Sequence, residues 1–283
     1  MTEVLPRIPD AGRLYLKAAG TLTKKPRGEP ALPPLEVRVE DVGVDAGHLA
    51  DYAAICGFDE IEHLPITFPH VMAGALHLHL LTQKRFPFPL LGLVHIRNDI
   101  RQHRPLTADT RFSLGARIGE ARAVRQGIEF DVMTEATADG ETVWSETSTM
   151  LHRRPAPKTA AGPRPQVPAT PLAEYRSFAA PDDIGRRYAK VGRDYNPIHL
   201  APWTAKLFGF KRHIAHGMWS AARCAAALER ELGRPPEALS VQFRQPLFLP
   251  GKVALKLLRG DGGIDFSLLS ARSDKTHLTG VLR

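Results

Sequence analysis

Residues 193–205, with the sequence RDYNPIHLAPWTA, place an acidic and a basic side chain at the two ends of a short turn. Asp194 and His199 bracket Asn196-Pro197, where asparagine favours turns through side-chain hydrogen bonds and proline fixes φ. A carboxylate and an imidazole are groups that general acid–base catalysis uses. Taken singly, Asp194 can be explained as a turn or helix-cap residue, and His199 can be explained as a structural histidine. Taken together, they predict a catalytic pair.

The elements that must position this pair occur twice along the chain. Residues 215–233 predict an alanine-rich helix that ends at Gly233 before two prolines, and several strand candidates follow it. Residues 69–86 predict a second helix, which is again followed by strand candidates separated by turn residues. The order of elements is therefore the same in both halves.

Individual residues of the two halves also match. Arg101-Gln102 aligns without a gap with Arg244-Gln245, and PHVM at 69–72 aligns with AHGM at 215–218. Chance likeness is the alternative, but the agreement in order and spacing favours an internal duplication. Each helix-plus-antiparallel-sheet unit leaves a sheet edge to be covered. Joining the two edges predicts one continuous sheet with a pseudo-two-fold axis.

A proline-rich segment divides the two halves. Residues 155–171 contain six prolines and little that could pack into a core, which predicts an extended linker. The chain is accordingly divided into an irregular N-terminal extension at 1–34, an N-terminal half at 35–154, this linker, and a C-terminal half at 172–283.

Composition limits the function classes. The 283 residues are 43% hydrophobic, and they contain neither a run of eighteen apolar residues nor the apolar core of a signal peptide. The two cysteines, Cys56 and Cys224, lie in apolar stretches, which favours buried thiols and a cytoplasmic location. The net charge of +8 is dispersed over short groups, which favours a solvated basic surface over nucleic-acid binding. A smaller anion, such as a nucleotide phosphate, stays open as a ligand.

YAKVGRDYNPIHLAPWTA at 188–205, followed by HIAHGMW at 213–219, resembles the motif of the MaoC-like dehydratases, the R-specific enoyl-CoA hydratases. The matching positions are Tyr188, Asp194, Asn196, Pro197, Ile198, His199 and Ala205. Arg193 is a departure, because the family usually has glycine there, and it leaves the geometry of the loop open. The family often has a serine later on the long helix, but none is carried over to this chain. The motif covers 188–219, and the likeness in architecture covers 35–283.

The resemblance implies an α+β double hotdog fold and a hydro-lyase. Its reaction would be the reversible, R-specific hydration of trans-2-enoyl-CoA or enoyl-ACP to the 3-hydroxyacyl thioester. Asp194 and His199 would handle the protons, and the backbone amide of Gly217 would bind the thioester oxygen. Asn196, Tyr188 and His216 would brace the loop or bind substrate. The resemblance implies no metal and no cofactor beyond the carrier of the substrate, in a monomeric pseudo-dimer or a homodimer.

The N-terminal half lacks this motif. Phe58 falls where Asp194 falls, and no Asn-Pro turn joins Asp59 to His63. This half is predicted to be degenerate and to shape the acyl cavity. HLHL at 77–80 could suggest a metal pair, but a helix face is the preferred interpretation because no suitably spaced further ligand accompanies it.

Two other functions stay open. Hotdog folds also support acyl-CoA thioesterases, although Ser220 lacks a nucleophile-elbow pattern. The third interpretation is a non-catalytic acyl-thioester binding subunit, against which the intact Asp194–His199 pair argues. Product analysis separates the two enzymes, because hydration keeps the thioester and hydrolysis frees a thiol.

Overall fold

The computed structural model describes residues 2–24, 26, 31–59, 61–154 and 172–283. The predicted linker at 155–171 therefore lies outside the described residues. The strands are β1 (Glu3–Leu5), β2 (Glu36–Val42), β3 (Leu93–Gln102), β4 (Phe112–Val124), β5 (Gly127–Ala138), β6 (Glu141–Arg153), β7 (Ala173–Ala180), β8 (Ala238–Phe243), β9 (Gly251–Gly260), β10 (Gly263–Ser270) and β11 (Thr276–Leu282). The helices are α1 (Ala11–Gly20), α2 (Ala46–Cys56), α3 (Phe68–Thr82), α4 (Ile184–Gly192), α5 (Pro202–Leu207) and α6 (Gly217–Leu232).

Within these described ranges, all strands belong to one eleven-stranded sheet. Its order is β1-β2-β4-β5-β6-β3-β8-β11-β10-β9-β7, so that the two halves meet where β3 pairs with β8. Outward from this junction, β6, β5, β4 and β2 on one side correspond to β11, β10, β9 and β7 on the other. The predicted continuous sheet is confirmed, and neither half presents a free edge at the junction.

The register at the junction agrees with the internal duplication. Asn98 pairs with Val241 in the antiparallel β3–β8 ladder. Asn98 stands three residues before Arg101, and Val241 stands three residues before Arg244, the residue that matches Arg101 in the sequence. The pair therefore joins equivalent positions, and a local two-fold axis passes through it.

Helices α3 and α6 form the centre of each half. Most of their residues are buried, which fits helices enclosed by a sheet and by neighbouring elements rather than helices with one apolar stripe. Alanines in α6 let the helix approach β8, β10 and β11 closely. The predicted C-terminal cap is confirmed, since Gly233 follows α6 with φ 69° in the left-handed region.

The N-terminal extension differs from the sequence prediction. An irregular segment was expected over 1–34, but β1 pairs in parallel with β2, and α1 packs against α3. The helix forms because Asp10 caps it through the Arg13 amide and because Leu14 and Ala18 are buried on one face. No helix in the described part of the chain is both long and apolar enough to cross a membrane.

Candidate active site

The loop that carries the acidic residue begins where α4 ends. Arg193 follows Gly192 with φ 52°, in the left-handed region that glycine adopts most easily. An arginine accepts this conformation at a backbone cost of about 1–2 kcal/mol. The chain thus makes the tight turn without the usual glycine, and Asp194 stands directly after it.

The Asn196-Pro197 turn holds the acidic and basic residues on one short segment. The Asn196 side-chain oxygen accepts a hydrogen bond from the Ile198 amide at 3.5 Å, and residues Pro197–His199 form a single 3₁₀ turn. The Asn196 amide also donates to Oδ1 of Asp194 at 3.1 Å. These local bonds fix the carboxylate and the imidazole relative to each other.

The orientation of the His199 ring is set from outside the turn. Its Nδ1 lies 2.8 Å from the carbonyl oxygen of Ile214. Because a carbonyl only accepts, Nδ1 carries the hydrogen and Nε2 keeps its lone pair. Gly185 of α4 lies against the same turn, and a Cβ at that position would stand 2.0 Å from the His199 carbonyl oxygen. Glycine there allows α4 to approach the turn closely.

His216 contacts both Asp194 and His199. Its ring stacks on His199 with a centroid distance of 3.7 Å, and the Tyr188 ring lies 4.9 Å away. Its Nε2 donates to the backbone oxygen of Asp194 at 3.0 Å and lies 3.7 Å from Oδ2 of the same residue. His216 thus contacts both members of the pair that the sequence predicts.

Gly217 begins α6 immediately after His216. Within the described residues, none accepts a hydrogen bond from the Gly217 amide, as expected for the first turn of a helix. A Cβ at Gly217 would lie 2.9 Å from the Phe243 ring, so the absence of a side chain also keeps this approach open. The amide is therefore available to an acceptor in the cavity that Gly217 lines.

Tyr15 is a site residue that sequence analysis missed. Its hydroxyl donates to Oδ1 of Asp194 at 2.5 Å, and its ring makes an edge contact with Tyr195 at 6.0 Å. Helix α1 brings this phenol from the far end of the chain into the site. The apolar spacing within 11–20 could have predicted the helix, but no local signal connects residue 15 to residue 194.

Burial and neighbouring charges set the protonation states. Burial, and then the nearby His216, lower the pKa of His199 to about 3, although Asp194 acts in the opposite direction. Burial raises the pKa of Asp194, but the charges of His216 and His199 and the hydrogen bond from Tyr15 outweigh burial and lower it overall. At neutral pH, Asp194 is a carboxylate and His199 is a neutral imidazole.

The site opens into a cavity of about 350 Å³ that both halves line. Its walls include Asp194, His199 and Gly217 from the C-terminal half, and Gly74 and Leu78 from the N-terminal half. A larger open cleft, of about 800 Å³, lies between residues 31–34 and strands β4 and β5 and contains none of the site residues.

The remaining sequence candidates lie elsewhere or are arranged differently. Phe58 is buried against Tyr52, Asp59 is ion-paired with Arg230, and neither they nor His63 line the cavity. Ser220 does line it, but its hydroxyl donates to the His216 carbonyl at 3.4 Å. No described hydrogen bond joins Ser220 to a histidine ring, so the arrangement is not that of a Ser–His nucleophile.

Asp194, His199 and His216 also form a group with metal-ligand chemistry. One ligand atom from each lies within 4.8 Å of the others. Carboxylate and imidazole suit several divalent metals, so the absence of a metal stays a prediction.

Comparison with known proteins identifies the family. The MaoC-like domain matches residues 154–277. The chain is 36% identical over 277 residues to 3-hydroxyacyl-thioester dehydratase X of Mycobacterium tuberculosis, with 95% of this chain and 96% of the relative covered. The chain belongs to the MaoC-like dehydratases.

Solved structures of similar proteins agree with this assignment. The crystal structure of HtdX from Mycobacterium tuberculosis superposes with a TM-score of 0.77 at 32% identity, covering 88% of this chain and 99% of that one. A second protein of that organism, described as a double hotdog, gives a TM-score of 0.56 at 13% identity over 89% of this chain and 93% of its own. The second likeness concerns the fold alone. The predicted double hotdog fold of this MaoC-like dehydratase is confirmed.

Proposed function

We propose that the protein is a hydro-lyase that adds water to trans-2-enoyl thioesters, giving (R)-3-hydroxyacyl thioesters, and that catalyses the reverse dehydration. The observation that carries this proposal is the convergence of three groups on one cavity. They are the Asp194 carboxylate, the Nε2 lone pair of His199 and the unpaired amide of Gly217. A base, a proton carrier and an oxyanion donor are the groups that this addition needs.

The proton and electron movements follow from these positions. A water molecule between Asp194 and His199 gives a proton to Nε2 as its oxygen bonds to C3 of the substrate. The electrons of the C2–C3 double bond move toward the thioester oxygen, where the Gly217 amide stabilises the developing negative charge. C2 then takes a proton from the pair, which restores the neutral imidazole and the carboxylate. Dehydration runs through the same steps in reverse.

Tyr15 and Asn196 act as positioning residues. Both donate to Oδ1 of Asp194, from the phenol hydroxyl and from the backbone amide respectively. Oδ2 therefore remains as the oxygen that faces water and the His216 ring. Holding reacting groups at a fixed geometry is worth several powers of ten in rate, so this clamp on the carboxylate contributes to turnover.

The positive charges at the cavity fit an acyl group carried on a phosphate-bearing arm. Arg193 and Arg244 line it, and both coenzyme A and acyl carrier protein present their acyl group on a phosphate-bearing arm. We propose a thioester of one of these carriers as substrate, with no cofactor beyond it. Buried thiols at Cys56 and Cys224 support a cytoplasmic location, and the pseudo-dimer can act alone or as a homodimer.

The test is hydration of trans-2-enoyl-CoA, followed by loss of the absorbance of the conjugated enoyl thioester. A thiol reagent is added in a parallel reaction. The proposal expects rapid loss of absorbance without release of free thiol. Release of thiol at the same rate would identify a thioesterase instead, and tight binding without either signal would identify a non-catalytic binding subunit.

A further inference from the structure

The N-terminal half contains a buried polar network beside its central helix. The Glu146 side chain on β6 is fully buried, and its Oε1 lies 2.6 Å from Nδ1 of His70 on α3. The side-chain amide of Asn98 donates hydrogen bonds to the same carboxylate oxygen and to the Ser148 hydroxyl. On the same helix, Nε2 of His77 lies 2.7 Å from the Thr134 hydroxyl.

At the strand positions of this network, the other half of the duplication has apolar residues. Ile100 matches Phe243 in the aligned repeats, and the sheet pairs Ile100 with Glu146 and Phe243 with Leu278. Leu278 therefore occupies in the C-terminal half the position that Glu146 occupies in the N-terminal half. In the same way, the register places Gly280 where the other half has Ser148.

The fold itself does not require this polarity. Removing a carboxylate from water is unfavourable unless partners compensate it, and replacing a buried ion pair with apolar residues is often neutral or stabilising. The same architecture closes around leucine at position 278 with that side chain buried. A polar network kept where the fold accepts leucine points to a role in binding.

The network presents an unpaired ring nitrogen to the cavity. Glu146 occupies Nδ1 of His70, and no described residue bonds to Nε2 of that ring. The His70 side chain keeps 17% of its surface exposed, and it lines the cavity together with His77, His95 and Ser148. Burial lowers the pKa of His70, but the charge and hydrogen bond of Glu146 outweigh it and raise the pKa overall. Nε2 can therefore accept a hydrogen bond from a hydroxyl group when the ring is neutral and donate one when the ring is protonated.

The cavity-lining side chains of His70, His77, His95 and Ser148 form a polar wall. This part of the cavity lies between helix and sheet, because it is lined by Gly74 and His77 of α3, Val132 of β5 and Ser148 of β6. A bulky carrier cannot enter such a space, whereas an acyl chain can.

The polar wall is also close to the Gly217 amide, the proposed oxyanion donor. The ring of Phe243 lies next to Gly217, and its centroid is 5.0 Å from that of His95. His95 in turn stacks on His70 at 6.1 Å. The polar wall therefore begins about one ring beyond the oxyanion donor, and leucines such as Leu78 and Leu81 line the cavity farther along α3.

We propose that this polar wall selects acyl thioesters that carry a hydroxyl group on the chain beyond C3, with Nε2 of His70 as its hydrogen-bonding partner. Glu146 holds the ring in place. This inference rests on the proposed hydratase function and names its substrate class. A plain alkyl chain would cover Nε2 without giving it a hydrogen-bonding partner, and such a mismatch costs about ten- to a hundredfold in kcat/KM.

The test compares trans-2-enoyl-CoA substrates of equal chain length. Each carries one hydroxyl group, placed at successive carbons beyond C3, or carries none. At one position the hydroxylated substrate is expected to have a kcat/KM about tenfold or more above that of the plain chain. In His70→Phe, the ratio of kcat/KM for the hydroxylated substrate to kcat/KM for the plain chain should fall to one or below, whatever the absolute rates are. In His70→Gln, which keeps a side-chain group that can donate and accept hydrogen bonds, part of the preference should return.

A matched control lies on the same helix. His79 is paired with Glu3 at 2.9 Å outside the cavity, and His79→Phe should leave the ratio unchanged. A wild-type enzyme that prefers the plain chain at every position, or a His70→Phe variant with the wild-type ratio, overturns the inference. Failure to hydrate any enoyl thioester would instead overturn the proposed function, so the two failures are distinguishable.

Discussion

Tyr15→Phe removes a single hydroxyl group from the site and leaves the ring of α1 in place. The lost bond joins the phenol to Oδ1 of Asp194 at 2.5 Å, and the Asn196 amide would remain as the other donor to that oxygen. Hydrogen bonds to charged groups contribute about 1.5–3 kcal/mol. The Asp194 side chain is 43% exposed, so water replaces part of the loss and the lower end applies.

A loss of about 1.4 kcal/mol corresponds to about one pKa unit and to about a tenfold change in rate. The hydrogen bond from Tyr15 lowers the pKa of Asp194, so removing it raises that pKa. We expect kcat for hydration to fall about tenfold, and the acidic limb of kcat/KM to move up by about one pH unit.

Tyr175→Phe is the matched control. It removes a bond of the same kind, from a tyrosine hydroxyl to Oε1 of Glu231 at 2.8 Å, outside the cavity. Both variants should lower the melting temperature slightly, but only Tyr15→Phe should alter kcat and the pH profile. A Tyr15→Phe enzyme with wild-type kcat and an unshifted acidic limb would refute the positioning role.

Three further predictions concern the same site. Gly185→Ala should lower kcat about a hundredfold, because a Cβ 2.0 Å from the His199 carbonyl oxygen must displace the turn by about 1 Å. Gly262→Ala is the control, because the space around Gly262 is open, and it should have no effect on activity in the same assay. Because the pKa of His199 is about 3 and that of Asp194 is lowered, kcat/KM should stay level from pH 7 down to about pH 5; a limb near the ordinary histidine pKa would contradict these protonation states. Prolonged treatment with a chelator should leave the hydration rate unchanged, and a loss that zinc or another divalent metal restores would assign Asp194, His199 and His216 to a metal site.

The turn that holds Asp194 and His199 was predictable because its determinants are local. Asp194, Asn196 and His199 lie within six residues, and turn bonds between near neighbours hold them. The duplication was predictable for a similar reason, since matched segments such as those at Arg101 and Arg244 keep their spacing. Position 193 is an intermediate case: the family's glycine signals a left-handed residue, and an arginine takes that conformation here.

Contacts across the fold were not predictable in this way. The Tyr15–Asp194 bond joins residues 179 positions apart, and only the assembled sheet and α1 bring them together. Glu146 lies in a strand between Ser145 and Thr147, where a charged residue would normally indicate a solvent-facing position. Only the structure shows that it faces His70 in the interior.

The most direct test of the account is turnover of variants of the catalytic pair. Asp194→Asn and His199→Ala should each lower kcat for enoyl-CoA hydration by about a hundredfold or more, with melting curves close to that of the wild type. The kcat of the double variant should be only slightly below that of the less active single variant, because both groups act on one water molecule. Asp182→Asn, at a carboxylate 3.4 Å from His213 outside the cavity, should retain wild-type kcat. Near-wild-type kcat in either single variant with an unchanged melting curve would contradict the assignment.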